Sequence, residues 1–410
     1  MQETKQEPRR PVSLPDTPSI AVLPFVQAGN DFDAQAFADG VTDNVIYTLA
    51  CTPGLFVSGR NSIFTFKGRR VRPQQVGQVL GVAHVLEATI ARGDERIALN
   101  ARLTETGSGQ TLWSERFEGS RDGVSALKRA LVERTLATIA PGTALDQCVS
   151  ERSRISSDVG IYEKFLLAYL NYSPSSEEST RAMYASLESI AGQLPGHPLP
   201  PGLMAQCYTN LVAQGWSRDL AGDAAAATRL ARTALAYNDT DPTVLMMVGH
   251  TLGYLGRDHD TGLALLDRSL ALNPNSASTY ERSGWVRCFA DEPETARAHF
   301  HAAKRLSPLD NATFRFDSGL GVAHCMLGQY EEALAWLQRA ILDTPSWTSS
   351  YRLLAACLAH LGRQAEAKAA ARELLTRQPD FRIAPLRWPF KPSVGLERIV
   401  EGLRQAGLPD

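Results

Sequence analysis

The hydrophobic positions between residues 19 and 60 change period along the chain. Residues 19–25, SIAVLPF, form a short apolar run that is typical of a buried strand, and residues 55–58 form a second one. Between them, over residues 35–50, apolar side chains recur every three or four residues, which predicts a helix. This part of the chain therefore begins as strand, helix, strand.

The same alternation continues to residue 140. Short helices are predicted at 73–80, opened by a proline, and at 124–139. Strands are predicted at 82–91, 96–104 and 112–117, with a hairpin turn of Arg-Gly-Asp-Glu between the first two. The order β-α-β-α-β-β-β-α predicts one small α/β or α+β domain with a mixed sheet.

Beyond residue 155 the strand signals disappear and the sequence repeats. Successive helical blocks are closed by prolines that stand 32, 34, 37 and 34 residues apart, namely Pro242, Pro274, Pro308, Pro345 and Pro379. Proline cannot continue a helix, so it marks the end of each block. A period near 34 residues is that of the tetratricopeptide repeat, a pair of antiparallel helices.

Small and large residues recur inside these blocks at matching positions. A glycine at the eighth position, Gly284 or Gly321, accompanies a large residue at the twenty-fourth, Phe300 or Leu337. Small side chains allow two helices to approach closely, and large ones fill the space between neighbouring pairs. We predict about six helix pairs, beginning with helices near 158–171 and 176–193 and continuing with helices near 201–214 and 220–237.

The fold class that follows is α+β: a small α/β amino-terminal domain followed by an all-α, tetratricopeptide-like superhelical solenoid. The last pair of a solenoid must be covered, and a helix near 394–406 is suited to that. The predicted domains are a disordered leader at 1–18, the α/β domain at 19–140, a linker at 141–157, repeats at 158–384 and a capping segment at 385–410.

Composition and charge argue against two classes of function, nucleic-acid binding and membrane insertion. The chain has 410 residues, with 42 Lys and Arg against 44 Asp and Glu and a net charge of −2, so it lacks a basic field for nucleic acid. It contains no apolar run of about 18 residues and no signal-peptide core. We therefore expect a cytoplasmic location, no membrane contact and no nucleic acid bound by this chain alone.

Candidate catalytic and metal-binding residues are few. No phosphate-binding loop, dinucleotide-binding fingerprint, zinc-protease motif or hydrolase nucleophile motif is present. Asp39 and Asp43, four residues apart on a helix, are interpreted as a solvated helix start and not as a cation site. Arg60 and Asn61 are interpreted as anchors of the following loop. We expect no catalytic residue, no metal and no cofactor.

Several motifs in the amino-terminal part resemble one bacterial module. It is the TolB amino-terminal-like domain, which stands between an output domain and tetratricopeptide repeats in class III adenylate/guanylate cyclases and in winged-helix transcription regulators. The motifs are LPDTPSIAVLPF at 14–25, FADGVTD at 37–43, RNSIFTFKG at 60–68, LGVAHVLE at 80–87, LWSERF at 112–117 and GLRQAGLP at 402–409. Only 13 residues precede Leu14, so we expect no output domain in this chain.

The tetratricopeptide resemblance implies a binding groove on the concave face of the repeats. In such domains, side chains at set positions of each first helix contact a protein or peptide partner. The residues assigned to this groove are Met246, His250, Tyr254, Glu281, Trp285, Phe289, Arg315, Ser318, Arg352 and His360. The Lys and Asn set that clamps a carboxyl terminus in some chaperone adaptors is absent, so the resemblance implies no carboxylate ligand.

Three functions remain open from the sequence. The first is a non-enzymatic regulatory or scaffold protein that binds protein partners through the groove. The second is the regulatory, non-catalytic part of a class III adenylate/guanylate cyclase system. The third is a transcription regulator that lacks its DNA-binding domain. The oligomeric state does not follow from the sequence.

Overall fold

A computed structural model describes residues 17–27, 32–92, 96–120, 123–141 and 176–410. These form two compact units. The amino-terminal unit contains the described residues up to 141 together with Leu306–Leu309. The repeat unit contains the described residues 176–305 and 310–410.

A six-stranded mixed sheet forms the centre of the amino-terminal unit. The strands are β1 (Ser19–Val22), β2 (Val26–Gln27), β3 (Phe56–Val57), β4 (His84–Arg92), β5 (Arg96–Glu105) and β6 (Thr111–Ser120). Their order is β3-β1-β4-β5-β6, with β2 also paired to β4. Strand β1 pairs in parallel with β3 and with β4, and β2 pairs in parallel with β4. Strands β4, β5 and β6 form an antiparallel meander. The predicted hairpin turn falls largely on residues 93–95, outside the described residues.

Within the described residues of this unit, four helices accompany the sheet. They are α1 (Phe32–Ala50), α2 (Arg60–Phe64), α3 (Pro73–Leu80) and α4 (Val124–Ile139). Apolar residues from the strands and helices, such as Ile20, Leu49, Leu86, Leu103 and Leu131, are fully buried in one common core. The alternation of strand and helix periods in the sequence therefore corresponds to one packed α/β unit.

Helices are the regular elements of the repeat unit over its described residues. They are α5 (Glu177–Gln193), α6 (Leu199–Ala213), α7 (Leu220–Tyr237), α8 (Pro242–Tyr254), α9 (His259–Leu272), α10 (Ala277–Phe289), α11 (Pro293–Leu306), α12 (Thr313–Met326), α13 (Tyr330–Asp343), α14 (Thr348–His360), α15 (Gln364–Arg377), α16 (Ile383–Leu386) and α17 (Val394–Gln405). The pairs α6–α7, α8–α9, α10–α11, α12–α13 and α14–α15 follow the predicted repeats.

Glycine packing explains the close approach of the paired helices. A Cβ atom placed on Gly284 would lie 2.7 Å from the ring of Phe300, and one on Gly321 would lie 2.5 Å from Leu337. Phe300 and Leu337 are themselves fully buried. The eighth and twenty-fourth positions of a block therefore meet directly, and the predicted fold class, a small mixed sheet followed by a helical solenoid, is confirmed.

The carboxyl-terminal segment covers the last helix pair. Leu396, Ile399 and Leu403 of α17 are buried in the same hydrophobic cluster as α14 and α15. Ser393 caps α17 by accepting a hydrogen bond from the backbone N–H of Leu396. This segment also reaches the concave face of the repeats, where it helps to form the cavity described below.

Three short elements were absent from the sequence predictions: β2, α2 and α16. All three are too short to show a hydrophobic period. Other predictions fall outside the described residues, namely residues 1–16 of the leader, 142–157 of the linker and the helix near 158–171. Over the described part of the chain, no helix combines the length and apolar character needed to cross a bilayer.

Candidate functional site

The concave face of the repeat unit encloses a cavity of about 710 Å³. Its walls come from the first helices of successive pairs, α6, α8, α10, α12 and α14. The loop that follows α6 and the segment that contains α16 complete it. A volume of this size is ordinary for a small-molecule or side-chain binding site.

The structure brings most of the predicted groove residues together at this cavity. Seven of the ten line it: His250, Tyr254, Glu281, Trp285, Phe289, Arg315 and Arg352. They come from four separate helices. Trp285 is partly exposed, and Phe289 and Glu281 are nearly buried.

The other three predicted residues lie elsewhere. Met246 is buried in the hydrophobic cluster of α6 to α9, because the α8 face that carries it turns toward the neighbouring helices. Ser318 is fully buried on α12. His360 stacks on Tyr330 with ring centroids 4.4 Å apart and bonds through Nε2 to the carbonyl of Arg398. His360 therefore packs against the capping helix and not in the groove.

Aromatic rings form one side of the cavity. His250 stacks on Tyr254 at 5.9 Å, and Tyr254 stacks on Phe289 at 5.1 Å. Trp285 lies 6.3 Å from Phe289, and Phe390 of the carboxyl-terminal segment meets Phe289 edge to face at 5.0 Å. Burial raises the pKa of Tyr254 to about 12, so its hydroxyl is protonated at neutral pH.

A polar network fixes the next part of the wall. Gln206 donates to the carbonyl of Met247 and to Thr251, both at 3.0 Å. Its Oε1 atom accepts from Nδ1 of His250 at 3.2 Å and from Nε of Arg282 at 3.1 Å. Burial, and then the nearby Arg282 and Arg315 charges, hold the pKa of His250 well below its ordinary value. His250 is therefore a neutral donor.

Basic side chains outnumber acidic ones around the cavity. Six arginines and three carboxylates line it: Arg218, Arg282, Arg315, Arg352, Arg377 and Arg382, with Glu177, Glu281 and Asp380. Arg282 is paired with Glu281, whose Oε2 lies 2.8 Å from Nη1. This excess of positive charge is local, because the whole chain carries a net charge of −2.

Arg315 and Arg352 differ from Arg282 in having no carboxylate partner among the described residues. The Nε atom of Arg315 is buried without a hydrogen-bond acceptor, and its guanidinium lies 5.4 Å from the ring of Trp347. Arg352 donates to the carbonyl of Ala213 at 3.3 Å and to Ser349 Oγ. Burial lowers the pKa of Arg352, but the group stays charged at neutral pH.

The carboxyl-terminal segment closes the cavity on its remaining side. The backbone N–H of Lys391 donates to the carbonyl of Phe289 at 2.8 Å. His259 Nε2 bonds to the carbonyl of Pro389 at 2.7 Å. These two contacts hold Trp388, Pro389 and Phe390 as part of the cavity wall.

Several wall residues were missed from the sequence. Arg282 falls one position after Glu281 in its block, and Trp347 precedes α14 as its N-cap. Trp388 and Phe390 belong to the segment predicted only as a cap. The RWPFKP run contained the signal, because exposed aromatic residues next to arginine are enriched in binding surfaces.

The candidate residues of the amino-terminal unit have internal partners. Asp39 and Asp43 are buried within α1, well past its first turn, so their interpretation as a solvated helix start is wrong. Asp39 pairs with Lys67 and accepts from Gln35 Nε2 at 3.0 Å. Asp43 Oδ1 lies 2.9 Å from Nε of Arg60. Arg60 also lies over the ring of Phe64 at 4.0 Å, in keeping with its interpretation as an anchor. Among the described residues no group of three or more His, Cys, Asp or Glu could hold a metal ion.

Comparison with known proteins found one curated protein that is similar to part of this chain. No family model matches the chain. A putative adenylate cyclase 3 of Rhizobium meliloti (strain 1021) is 30% identical over 236 residues. The match covers 57% of this chain and 40% of the relative, so the chain spans less than half of the relative's length.

Three solved structures illustrate the likeness in fold. YrrB, a TPR protein with an unusual peptide-binding site, has 14% identity and a TM-score of 0.32, covering 49% of this chain and 95% of its own. PilW, a type IV pilus biogenesis factor, has 18% identity and a TM-score of 0.36, covering 50% and 89%. TTC0263, a thermophilic TPR protein of Thermus thermophilus, has 22% identity and a TM-score of 0.36, covering 43% and 92%.

Proposed function

We propose that this chain is a non-enzymatic regulatory or scaffold protein whose repeats bind a protein partner at the concave face. The observation that carries the proposal is the convergence of seven groove residues, from four helices, on one cavity. Aromatic and arginine side chains dominate binding energies at protein interfaces. Trp285 has two properties of a residue that contributes strongly to binding. Part of its side chain is exposed, and its ring is held in place by edge-to-face packing on Phe300.

The packing of Trp285 sets what its removal should do. Its ring meets Phe300 edge to face at 5.6 Å and Phe289 at 6.3 Å, while part of its surface stays open to the cavity. A partner side chain that enters the cavity would cover this open part. Truncation to alanine should therefore weaken partner binding by about 2 kcal/mol or more.

The test is affinity capture with quantitative mass spectrometry, using the wild type and two tryptophan variants. Trp285→Ala should lose the partner that the wild type retains. Trp336→Ala is the matched control, because Trp336 is also partly exposed and meets His301 edge to face, but lies on the outer helix α13 away from the cavity. Equal retention of every partner by both variants would contradict the proposal.

The second candidate function is the regulatory, non-catalytic part of a class III cyclase system. The relative named a putative adenylate cyclase supports it, with the match restricted to part of that protein. We propose within this reading that residues 19–140 form a TolB amino-terminal-like domain, 158–384 the repeats and 385–410 their cap, in a cytoplasmic protein.

Enzyme assays separate this candidate from a true cyclase. The purified chain with ATP or GTP and Mg²⁺ or Mn²⁺ should form no cyclic nucleotide above a blank. Adding the chain to a separately purified class III catalytic domain from the same organism should change that domain's rate if the second candidate is right. Turnover by the chain alone would contradict both candidates.

A further inference from the structure

Arg315 and Arg352 line the cavity without a carboxylate partner among the described residues. Binding of a protein partner does not by itself explain why these two charges are there. A buried N–H group without an acceptor is unfavourable, because it has lost water without gaining a hydrogen bond. Arg315 has such an Nε atom, and no carboxylate of the described residues pairs with Arg315 or Arg352. Both side chains line the same cavity.

Both guanidinium groups act on the same pair of stacked rings. The Arg315 charge lowers the pKa of His250, and the Arg352 charge opposes the rise in the pKa of Tyr254. His250 and Tyr254 lie 5.9 Å apart, centroid to centroid. Both arginines line the cavity on the side where these aromatic faces lie.

The side chains around Arg315 and Arg352 do not neutralise their positive charges. Gln206 fixes His250 as a neutral donor, and Glu281 is already engaged by Arg282. The other two carboxylates of the lining, Glu177 and Asp380, also form no ion pair with Arg315 or Arg352: Glu177 pairs with Arg181, and Asp380 is exposed. A low-dielectric, partly enclosed setting strengthens the attraction of such charges for an anion.

The shape of the cavity restricts the size of the anion. The carboxyl-terminal segment is fixed across it by the bonds of Lys391 and Pro389, and about 710 Å³ remains. That volume suits a small molecule. Trp285, Phe289 and Trp347 offer faces for a planar or apolar body beside the charges.

We propose that the cavity binds a small organic anion, with its carboxylate or phosphate group on Arg315 and Arg352 and its apolar body between the aromatic walls. Guanidinium groups suit these anions because their planar N–H donors match the oxygens. The site lies within one chain, so it does not depend on the proposed protein partner.

The test is calorimetric titration of the full chain at constant ionic strength. The probes are phenyl phosphate and phenylacetate, with 2-phenylethanol as the neutral analogue and inorganic phosphate as the anion without an apolar body. For ligands of about ten non-hydrogen atoms we expect a Kd of about 1 mM for the better of the two organic anions. The neutral analogue and inorganic phosphate should each bind about tenfold more weakly or worse.

Substitution of single arginines tests whether Arg315 and Arg352 hold the anion. Arg315→Met should weaken organic-anion binding about tenfold or more, and Arg352→Met should do the same. Arg372→Met is the matched control, since Arg372 is exposed on the outer helix α15; it should leave the Kd unchanged. Because Arg352 also bonds to Ala213, circular dichroism checks the fold of each variant, and Arg315→Met carries the test if Arg352→Met is unfolded.

Three results would overturn the proposal. They are equal affinity for the neutral analogue and the anions, unchanged anion affinity in folded Arg315→Met, and no binding of either organic anion up to about 20 mM. The partner-capture experiment is independent of all three. Loss of partner binding with intact anion binding would refute only the proposed function, and the reverse would refute only the anion site.

Discussion

In the amino-terminal unit the buried carboxylates face cations, whereas in the repeat unit two arginines face a cavity. Asp39 is paired with Lys67, and Asp43 lies 2.9 Å from Arg60. No carboxylate among the described residues lies within ion-pair distance of Arg315 or Arg352, although the Nε atoms of both Arg60 and Arg315 are buried without an aligned hydrogen-bond acceptor. The contrast is one of local electrostatics, because both units have well-packed apolar cores.

The difference separates structural charges from functional ones. A charge whose partner lies within the fold stabilises that fold, and its removal leaves the partner unsatisfied. A charge that faces a cavity without a carboxylate partner, as Arg315 and Arg352 do among the described residues, is the kind of group that we propose acts on another molecule. The candidate chemistry of this chain therefore lies in the repeat unit.

Of the substitutions that test this comparison, replacing Asp43 should change the free energy of unfolding most. Asp43→Asn should lower the free energy of unfolding by about 1–3 kcal/mol, because it leaves the half-buried Arg60 guanidinium unpaired. Urea denaturation of both proteins measures the change. The control is Asp260→Asn, which removes the exposed partner of Lys391 and should change stability by less than about 0.5 kcal/mol. If Asp43→Asn and Asp260→Asn changed the free energy of unfolding equally, the Asp43–Arg60 pair would be no more structural than an exposed ion pair.

A pH effect of intermediate size should come from His299 in the repeat unit. Burial, with the Arg287 charge, lowers the pKa of His299 to about 4. Below pH 6.5 the unfolded chain takes up a proton that the folded chain refuses until about pH 4, so stability is lost as the pH falls through this window. His299→Phe removes that proton while keeping a ring against Tyr280.

The measurement is the free energy of unfolding against pH for the wild type and His299→Phe. Near pH 5 the wild-type stability should fall more steeply, by up to about 1 kcal/mol per pH unit. Above about pH 7 His299 is neutral in both the folded and the unfolded chain, so the two curves should run parallel and serve as the internal control. Curves that stay parallel down to about pH 4 would show that His299 titrates normally in the folded chain.

Most of the fold could be predicted from the sequence because its signals are local. Helix α3 and helix α4 begin and end where proline and apolar spacing place them. The contact of Gly284 with Phe300 follows from positions within one block. The strand β2 and the helices α2 and α16 were missed, since two to five residues carry no measurable period.

The candidate site was predictable only where it follows the repeat. Trp285 and Arg352 lie where position in the block places them, at the cavity. Trp388 and Phe390 reach it because the carboxyl-terminal segment folds back over about a hundred residues to meet α10. No local pattern encodes such a contact, and the missing acceptor of Arg315 is likewise a property of the assembled cavity.

The smallest predicted effect has the opposite sign to that of Asp43→Asn, and it is the sharpest test of the comparison. Arg315→Met should raise the free energy of unfolding by about 1 kcal/mol, measured by urea denaturation without added anion. The substitution removes a buried donor that lacks an acceptor, and the thioether can still pack against Trp347. The lost attraction between the guanidinium and the rings reduces the gain without reversing it. Phenyl phosphate should then stabilise the wild type and not the variant, because a ligand stabilises only the form that binds it. A variant less stable than the wild type in the absence of anion would mean that Arg315, like Arg60, is structural.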